Sequence, residues 1–156
     1  MSIEKARECL RRFGAEERIR EFDVSSATVD LAAAALGVEN ARIAKTLSFK
    51  TDSGCLLIVA AGDARIDNRK FKDRFGCKAK MLAPDEVSAL VGHEIGGVTP
   101  FGRNDGVPVW LDGSLKRFST VFPAAGSASS AVELSPDELF ACSEASGWTD
   151  VCRLPE

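Results

Sequence analysis

The strongest pattern in the chain lies between positions 43 and 61, which read Ile43-Ala44-Lys45-Thr46-Leu47-Ser48-Phe49-Lys50-Thr51-Asp52-Ser53-Gly54-Cys55-Leu56-Leu57-Ile58-Val59-Ala60-Ala61. Apolar residues alternate over positions 43–50, which predicts a strand with one apolar face. Positions 55–61 are almost continuously apolar and predict a buried central strand. The polar, glycine-containing stretch 51–54 favours a turn, so we expect a β-hairpin at the centre of a sheet.

Further helices and strands are predicted on both sides of this hairpin. Helical spacing, capping residues and terminating glycines predict helices at 3–13, 28–36 (with Ser25 and Ser26 as capping hydroxyls), 67–76, 84–91 and from 135 onward. Shorter apolar runs predict strands at 19–24, 78–82, 107–111, 120–124 and 131–134. The sequence shows no repeat, linker or low-complexity tract. We therefore expect one α/β domain spanning 1–156.

Composition excludes several classes of protein. The chain has 156 residues, 45% hydrophobic and 28% charged, with a net charge of −3. No apolar run approaches the ~20 residues of a membrane span, and the charged N-terminus resembles no signal peptide, so we expect a cytoplasmic protein. Five dispersed cysteines favour reduced thiols, and one histidine without a cysteine pair argues against a zinc site. We expect no metal and no cofactor.

Positive charge is concentrated in one segment. Positions 65–80 contain seven lysines and arginines against two aspartates. Such a local excess can approach a phosphate backbone, although a solvated helix face gives the same pattern. The sequence alone leaves both interpretations open.

Lys45 is out of place on the apolar face of its predicted strand. A buried lysine needs either an anion or an opening to solvent, because desolvation disfavours its charge. The alternative is a lysine near the strand end whose ammonium group reaches water. At the mouth of a pocket, the ammonium would suit a phosphate or a carboxylate.

A second unusual segment is Gly92-His93-Glu94-Ile95-Gly96-Gly97-Val98-Thr99-Pro100-Phe101-Gly102. Its glycines allow close approach of the backbone to a ligand, and exposed N–H groups could hold an oxyanion. A tight structural connection is the alternative. His93 could act as a general base, but a lone histidine more often packs or hydrogen bonds. Asp112 is either a cap or a pocket carboxylate, and the serines of the turn at 126–130 could bind substrate.

Two of these segments together resemble a known family. The alanine-rich helix ending in Leu36-Gly37-Val38, followed by Ile43-Ala44-Lys45-Thr46-Leu47 and then by Gly96-Gly97-Val98-Thr99-Pro100-Phe101-Gly102, is similar to the YbaK/EbsC family. That family includes the editing domain of bacterial prolyl-tRNA synthetases and free-standing relatives. The resemblance covers nearly the whole chain. It implies a mixed, barrel-like β-sheet surrounded by helices.

The resemblance also implies a function and a set of site residues. Members of the family hydrolyse the ester between a wrong amino acid and the terminal adenosine of tRNA. On that basis we expect catalytic roles for Lys45, Gly96 and Gly97 and substrate contacts from Asp112 and Gly126. His93, Thr99 and Ser127, from the glycine loop and the serine-containing turn, are further candidate substrate contacts, although His93 lies at a variable position of the family's loop. The basic segment supplies Arg69, Lys70 and Lys72 as candidate tRNA contacts. The expected partners are mischarged tRNA, with proline tRNA favoured, and prolyl-tRNA synthetase through the shared tRNA.

Two points stay open at this stage. Residues 123–130 differ from the versions associated with alanine or cysteine editing, so the amino acid removed could be Ala, Cys, Ser or Thr. A non-catalytic adaptor of the same fold, binding tRNA or a synthetase, is the main rival function, and it would not need Lys45. A small-molecule hydrolase ranks below both, because the sequence has no nucleophile elbow and no metal-binding set.

Overall fold

A computed structural model describes residues 2–93 and 98–155 of the chain. The helices are α1 (Ser2–Arg11), α2 (Val29–Leu36), α3 (Asn68–Phe75), α4 (Pro84–Glu86) and α5 (Pro136–Cys142). The strands are β1 (Ile19–Glu21), β2 (Ile43–Thr51), β3 (Gly54–Ala61), β4 (Arg65–Ile66), β5 (Val109–Asp112), β6 (Phe122–Pro123), β7 (Ser130–Val132), β8 (Gly147–Thr149) and β9 (Cys152–Arg153). Short 3₁₀ turns precede β1 and β2 and follow β5.

The central sheet has five strands in the order β6-β2-β3-β5-β8. The β2–β3 pair is antiparallel, whereas β2–β6, β3–β5 and β5–β8 are parallel. This curled, half-barrel sheet is accompanied by the helices and by two small two-stranded sheets, β1–β7 and β4–β9. The prediction of a mixed, barrel-like α/β fold is confirmed.

The predicted hairpin forms the middle of this sheet. Thr51 pairs with Gly54 across a two-residue turn, and Lys45 pairs with Ala60. Every residue of β3 after Gly54 is buried, as expected for a strand covered on both faces. Phe49 of β2 packs against Phe71 of α3 with ring centroids 4.8 Å apart, which joins the helix layer to the sheet.

Capping residues explain where the helices begin, with one correction. Asp67 accepts N–H bonds from the first turn of α3, as expected for a helix beginning there. The helix predicted from 135 onward begins with a reciprocal capping box between Ser135 and Glu138. The prediction that Ser25 and Ser26 cap α2 was wrong. Thr28 caps it instead, because its hydroxyl accepts the N–H of Leu31 at 3.2 Å.

Other local predictions also needed correction. Residues 78–82 form no full strand: a single bridge joins Met81 to Phe49. The helix expected at 84–91 begins at Pro84, but its second half, Val87–Val91, widens into π-helical bonding. The short strands β4, β8 and β9 were not predicted, because two or three residues carry too little periodicity to be recognised.

None of the helices in the described ranges has the length and apolar character required to cross a membrane. The same ranges contain no group of three or more histidine, cysteine, aspartate or glutamate side chains able to hold a metal ion. All five cysteines are free thiols.

Candidate functional site

A cavity of about 300 Å³ opens between α2, the first half of β2 and the β6–β7 region. This volume lies at the lower end of the ~300–1,000 Å³ usual for ligand pockets. Its walls are largely apolar, with side chains that include Ala32, Leu47, Leu82, Val87, Val98 and Phe122. Lys45 is the only charged residue among the described residues that line it.

Lys45 lies in the open middle of an otherwise covered strand face. Ile43 and Phe49, on the same face of β2, are buried, whereas Lys45 and Leu47 between them are half-buried. The Lys45 ammonium donates to the backbone carbonyls of Gly62, at 3.4 Å, and of Ala64. These two bonds use two of its three protons, which leaves one for a ligand. Burial lowers the pKa of Lys45, and the nearby Cys152 and Asp63 partly offset this effect.

The nearest carboxylate is held by another cation. Asp63 lies between the two residues whose carbonyls bind Lys45, but its carboxylate forms a two-point ion pair with Arg117 at 3.0 and 2.5 Å. Hydrogen bonding by Arg117 lowers the pKa of Asp63. In the part of the chain that the structure describes, no carboxylate forms an ion pair with Lys45. The ammonium group is therefore available to an external acceptor.

Hydroxyl groups form the polar part of the cavity lining. Ser26 and Thr46 both line it, and the hydroxyl oxygens of both are buried with no hydrogen-bond partner among the described residues. The Ser26 backbone is fixed by an N–H bond to the carbonyl of Ala128 at 2.6 Å. An unsatisfied buried hydroxyl costs about 1–3 kcal/mol, so a ligand that pairs with it recovers that energy. Sequence reasoning missed both residues as site residues, although Thr46 lies next to Lys45.

The glycine loop is only partly described. Gly96 and Gly97, predicted to be catalytic, lie outside the described residues. His93 and Thr99 lie on either side of that gap and are buried, and neither is among the described residues that line the cavity. His93 donates its Nε2 proton to the carbonyl of Phe101 at 2.8 Å, which makes Nδ1 an acceptor, and Nδ1 has no partner among the described residues. The Thr99 hydroxyl is also buried without a partner in the described residues.

Asp112 lies at the end of β5, away from the cavity lining. It is 2% exposed, and its two carboxylate oxygens accept the backbone N–H groups of Ser114 and Val151, each at 2.9 Å. These contacts are those expected if Asp112 acts as a cap. The side chain connects β5 to the segment between β8 and β9.

The turn at Gly126 and Ser127 supports the cavity wall. Gly126 has φ of 100°, a conformation that favours glycine. The Ser127 hydroxyl is 2.7 Å from the hydroxyl of Ser130, and Ser130 lines the cavity. Ser127 is therefore connected to the cavity lining through its hydrogen bond with Ser130.

The three predicted tRNA contacts all lie on α3 and are exposed. Lys70 is committed to the protein, because its ammonium group donates to Asp150 at 3.1 Å and to the carbonyl of Cys152 at 2.9 Å. Arg69 and Lys72 make no ion pair with a described carboxylate.

Comparison with known proteins identifies the family. Residues 23–142 match the model of the aminoacyl-tRNA editing domain, and this range contains every described residue that lines the cavity. The chain belongs to the aminoacyl-tRNA editing domain family.

Three similar proteins differ in how much of their length the match covers. The uncharacterized protein YwhH of Bacillus subtilis (strain 168) is 52% identical over 154 residues, which cover 98% of both chains. The crystal structure of a candidate trans-editing enzyme for prolyl-tRNA synthetase superposes with a TM-score of 0.87 at 31% identity, covering 97% of each chain. The proline–tRNA ligase of Bacillus cytotoxicus is 29% identical over 85 residues, which are 54% of this chain and 15% of the ligase.

His93 is the single histidine of the chain, and the pH dependence of stability tests whether its ring is buried and neutral. Burial lowers the pKa of His93, so the unfolded protein takes up a proton at higher pH than the folded protein does. The stability that comes from the neutral ring is therefore present above the ordinary pKa of about 6.5 and is lost as the pH falls below it. We expect His93→Gln, whose amide can still donate to Phe101, to flatten the pH dependence of the free energy of unfolding between pH 7 and 5. Urea denaturation at several pH values measures the free energy of unfolding of both proteins. An equally steep pH dependence in the variant and the wild-type protein would contradict a buried, neutral His93.

Proposed function

We propose that this protein hydrolyses the ester of mischarged tRNA, with proline tRNA carrying a small wrong amino acid as the substrate. The observation that carries the proposal is Lys45: a half-buried ammonium group in a small cavity, with one proton free and no paired carboxylate in the described residues. Membership of the editing-domain family and similarity to a candidate trans-editing enzyme support it.

The cavity suits an aminoacyl ester in size and polarity. Its volume of about 300 Å³ accommodates a small amino acid, and its hydroxyl groups at Ser26 and Thr46 offer hydrogen bonds within an apolar wall. A synthetase pocket gains only about 1–3 kcal/mol against a rival that differs by one methylene, so a second hydrolytic site has a clear use. We propose alanine, cysteine, serine and threonine as the candidates for removal.

In the proposed reaction, a water molecule attacks the ester carbonyl carbon. A new carbon–oxygen bond forms, and negative charge develops on the carbonyl oxygen, where the Lys45 ammonium stabilises it. The bond to the ribose oxygen then breaks, and that oxygen leaves with the proton lost by the water, with the neighbouring ribose hydroxyl assisting the transfer. None of the described residues that line the cavity is an acid, a histidine or a cysteine, so the protein contributes orientation and charge stabilisation.

The proposed setting is the cytoplasm, where the free thiols would stay reduced. The protein would act on tRNA that the synthetase has charged with the wrong amino acid. Prolyl-tRNA synthetase would then be a partner only through the shared tRNA.

A panel of proline tRNAs charged with alanine, cysteine, serine, threonine or proline tests this function. We expect release of at least one small amino acid well above the spontaneous rate, with the prolyl ester spared. Tight binding without release from any member of the panel would favour the adaptor function instead. Absence of both release and binding would contradict both.

A further inference from the structure

The small β4–β9 sheet places two arginines directly opposite each other. In this antiparallel pair, Arg65 aligns with Arg153 and Ile66 aligns with Cys152. Ile66 and Cys152 are turned toward the core, whereas Arg65 and Arg153 are both exposed. Residues directly opposite in such a ladder have Cβ atoms about 4.5–5.5 Å apart on one face, and like charges there are destabilising.

No described carboxylate neutralises this pair by direct contact. Neither arginine forms an ion pair or a side-chain hydrogen bond within the described residues. Asp67 is near enough to Arg153 for the two charges to interact, but the carboxylate of Asp67 accepts the N–H groups of Arg69 and Lys70 at the start of α3. The repulsion between the two guanidinium groups is thus left to the solvent or to a ligand.

The arginine pair adjoins the proposed catalytic group. The carbonyl of Ala64, the residue before Arg65, accepts a hydrogen bond from Lys45. The carbonyl of Cys152, the residue before Arg153, accepts one from Lys70. Asp150 already pairs with Lys70, whereas Lys45, Arg65 and Arg153 have no ion pair within the described residues. The positive charge left for a ligand therefore comes from Lys45 in the cavity and from the two arginines at the surface.

We propose that Arg65 and Arg153 together bind a backbone phosphate near the 3′ end of the tRNA substrate. This inference rests on the proposed function, because an ester held at Lys45 would bring the phosphodiester next to its terminal ribose to the mouth of the cavity. Guanidinium groups suit this ligand, since their planar donors match phosphate oxygens two at a time. The phosphate would also remove the repulsion between the two arginines.

The test compares two substrates that share the ester but differ in phosphate. Arg65→Gln and Arg153→Gln are assayed on the mischarged tRNA that the wild-type protein hydrolyses best, and on the matching 3′-aminoacyl-adenosine, which has no phosphate. Each variant is expected to lose about tenfold in kcat/KM on tRNA, mainly through KM, and less than about twofold on the aminoacyl-adenosine. Arg12→Gln, which removes an exposed arginine already paired with Glu144, serves as the matched control and should change neither.

Binding of uncharged proline tRNA, followed by fluorescence anisotropy from 50 to 200 mM salt, gives a readout independent of catalysis. Each variant should bind more weakly and show a shallower salt dependence, by about one unit in the slope of log affinity against log salt. Unfolding temperatures should stay equal or rise, because a like-charge neighbour is removed. Unchanged activity and affinity on tRNA, or equal losses on both substrates, would overturn the phosphate site. Failure of the wild-type protein to release any amino acid would instead refute the proposed function, and the anisotropy would still test the site.

Discussion

Replacing Lys45 with methionine is expected to reduce the rate of deacylation by about 10²–10³-fold, the loss typical of removing one donor to a developing oxyanion. Methionine keeps most of the aliphatic stem, so the walls of the cavity should be preserved. Lys45 is half-buried, and its hydrogen-bond partners within the described residues are backbone carbonyls alone, so removal of the ammonium group should leave the unfolding temperature unchanged or raise it. Single-turnover release of amino acid measures the first effect and thermal denaturation the second.

Lys50→Met is the matched control, because Lys50 lies on the same strand and is half-buried like Lys45, but is not among the described residues that line the cavity. It pairs with Glu86 at 2.8 Å, and its loss should cost at most about 1 kcal/mol of stability and leave the rate unchanged. Equal rates for Lys45→Met and the wild-type protein would show that Lys45 is not part of the reaction. Unfolding of Lys45→Met at ambient temperature would show that its role is structural.

Replacing Gly62 with alanine is expected to destabilise the fold by about 3 kcal/mol or more, because the added methyl group has no space. A Cβ at this position would overlap the carbonyl oxygen of Asn40 and lie 2.8 Å from Cγ1 of Val29. Val29 belongs to α2 and lines the cavity, whereas the Asn40 contact is to backbone at the start of the 3₁₀ turn before β2. The Gly62 carbonyl also accepts a bond from Lys45, so the strain would reach the site.

Gly113→Ala provides the comparison for this substitution. The nearest neighbour of a Cβ added at Gly113 would be the carbonyl oxygen of Thr149 at 3.8 Å, which is an ordinary van der Waals contact. We therefore expect the free energy of unfolding to change by less than about 1 kcal/mol. Urea denaturation of both variants measures the difference. A Gly62→Ala protein as stable as Gly113→Ala would contradict the close packing of Gly62, which follows β3, against Asn40 and Val29.

The parts of the fold that were predicted from sequence are those set by local pattern. The alternation in β2, the apolar run of β3, the Asp67 cap and the Ser135 capping box each act within a few residues, and the structure contains all of them. Thr28 and Ser26 show the limit of such patterns. Both are hydroxyl residues just before a helix, and only the path of the chain determines that Thr28 caps α2 while Ser26 faces the cavity.

The candidate site was predicted only in part, for a physical reason. Lys45 stood out because a charge on an apolar strand face is unusual. Its partners are backbone carbonyls, which have no signature in the sequence. Ser26 and Ser130 come from distant parts of the chain, and only the association of β7 with the N-terminal segment brings them to one cavity. The pairing of Arg65 with Arg153 likewise depends on a strand of two residues.

Single-turnover hydrolysis by the wild-type protein tests whether the cavity at Lys45 is a hydrolytic site. With enzyme in excess over proline tRNA that carries alanine, cysteine, serine or threonine, we expect rapid release of at least one of these amino acids and no acceleration for the prolyl ester. If all four esters decay only at the spontaneous rate while the protein remains folded, the assignment of a hydrolytic site at Lys45 is contradicted.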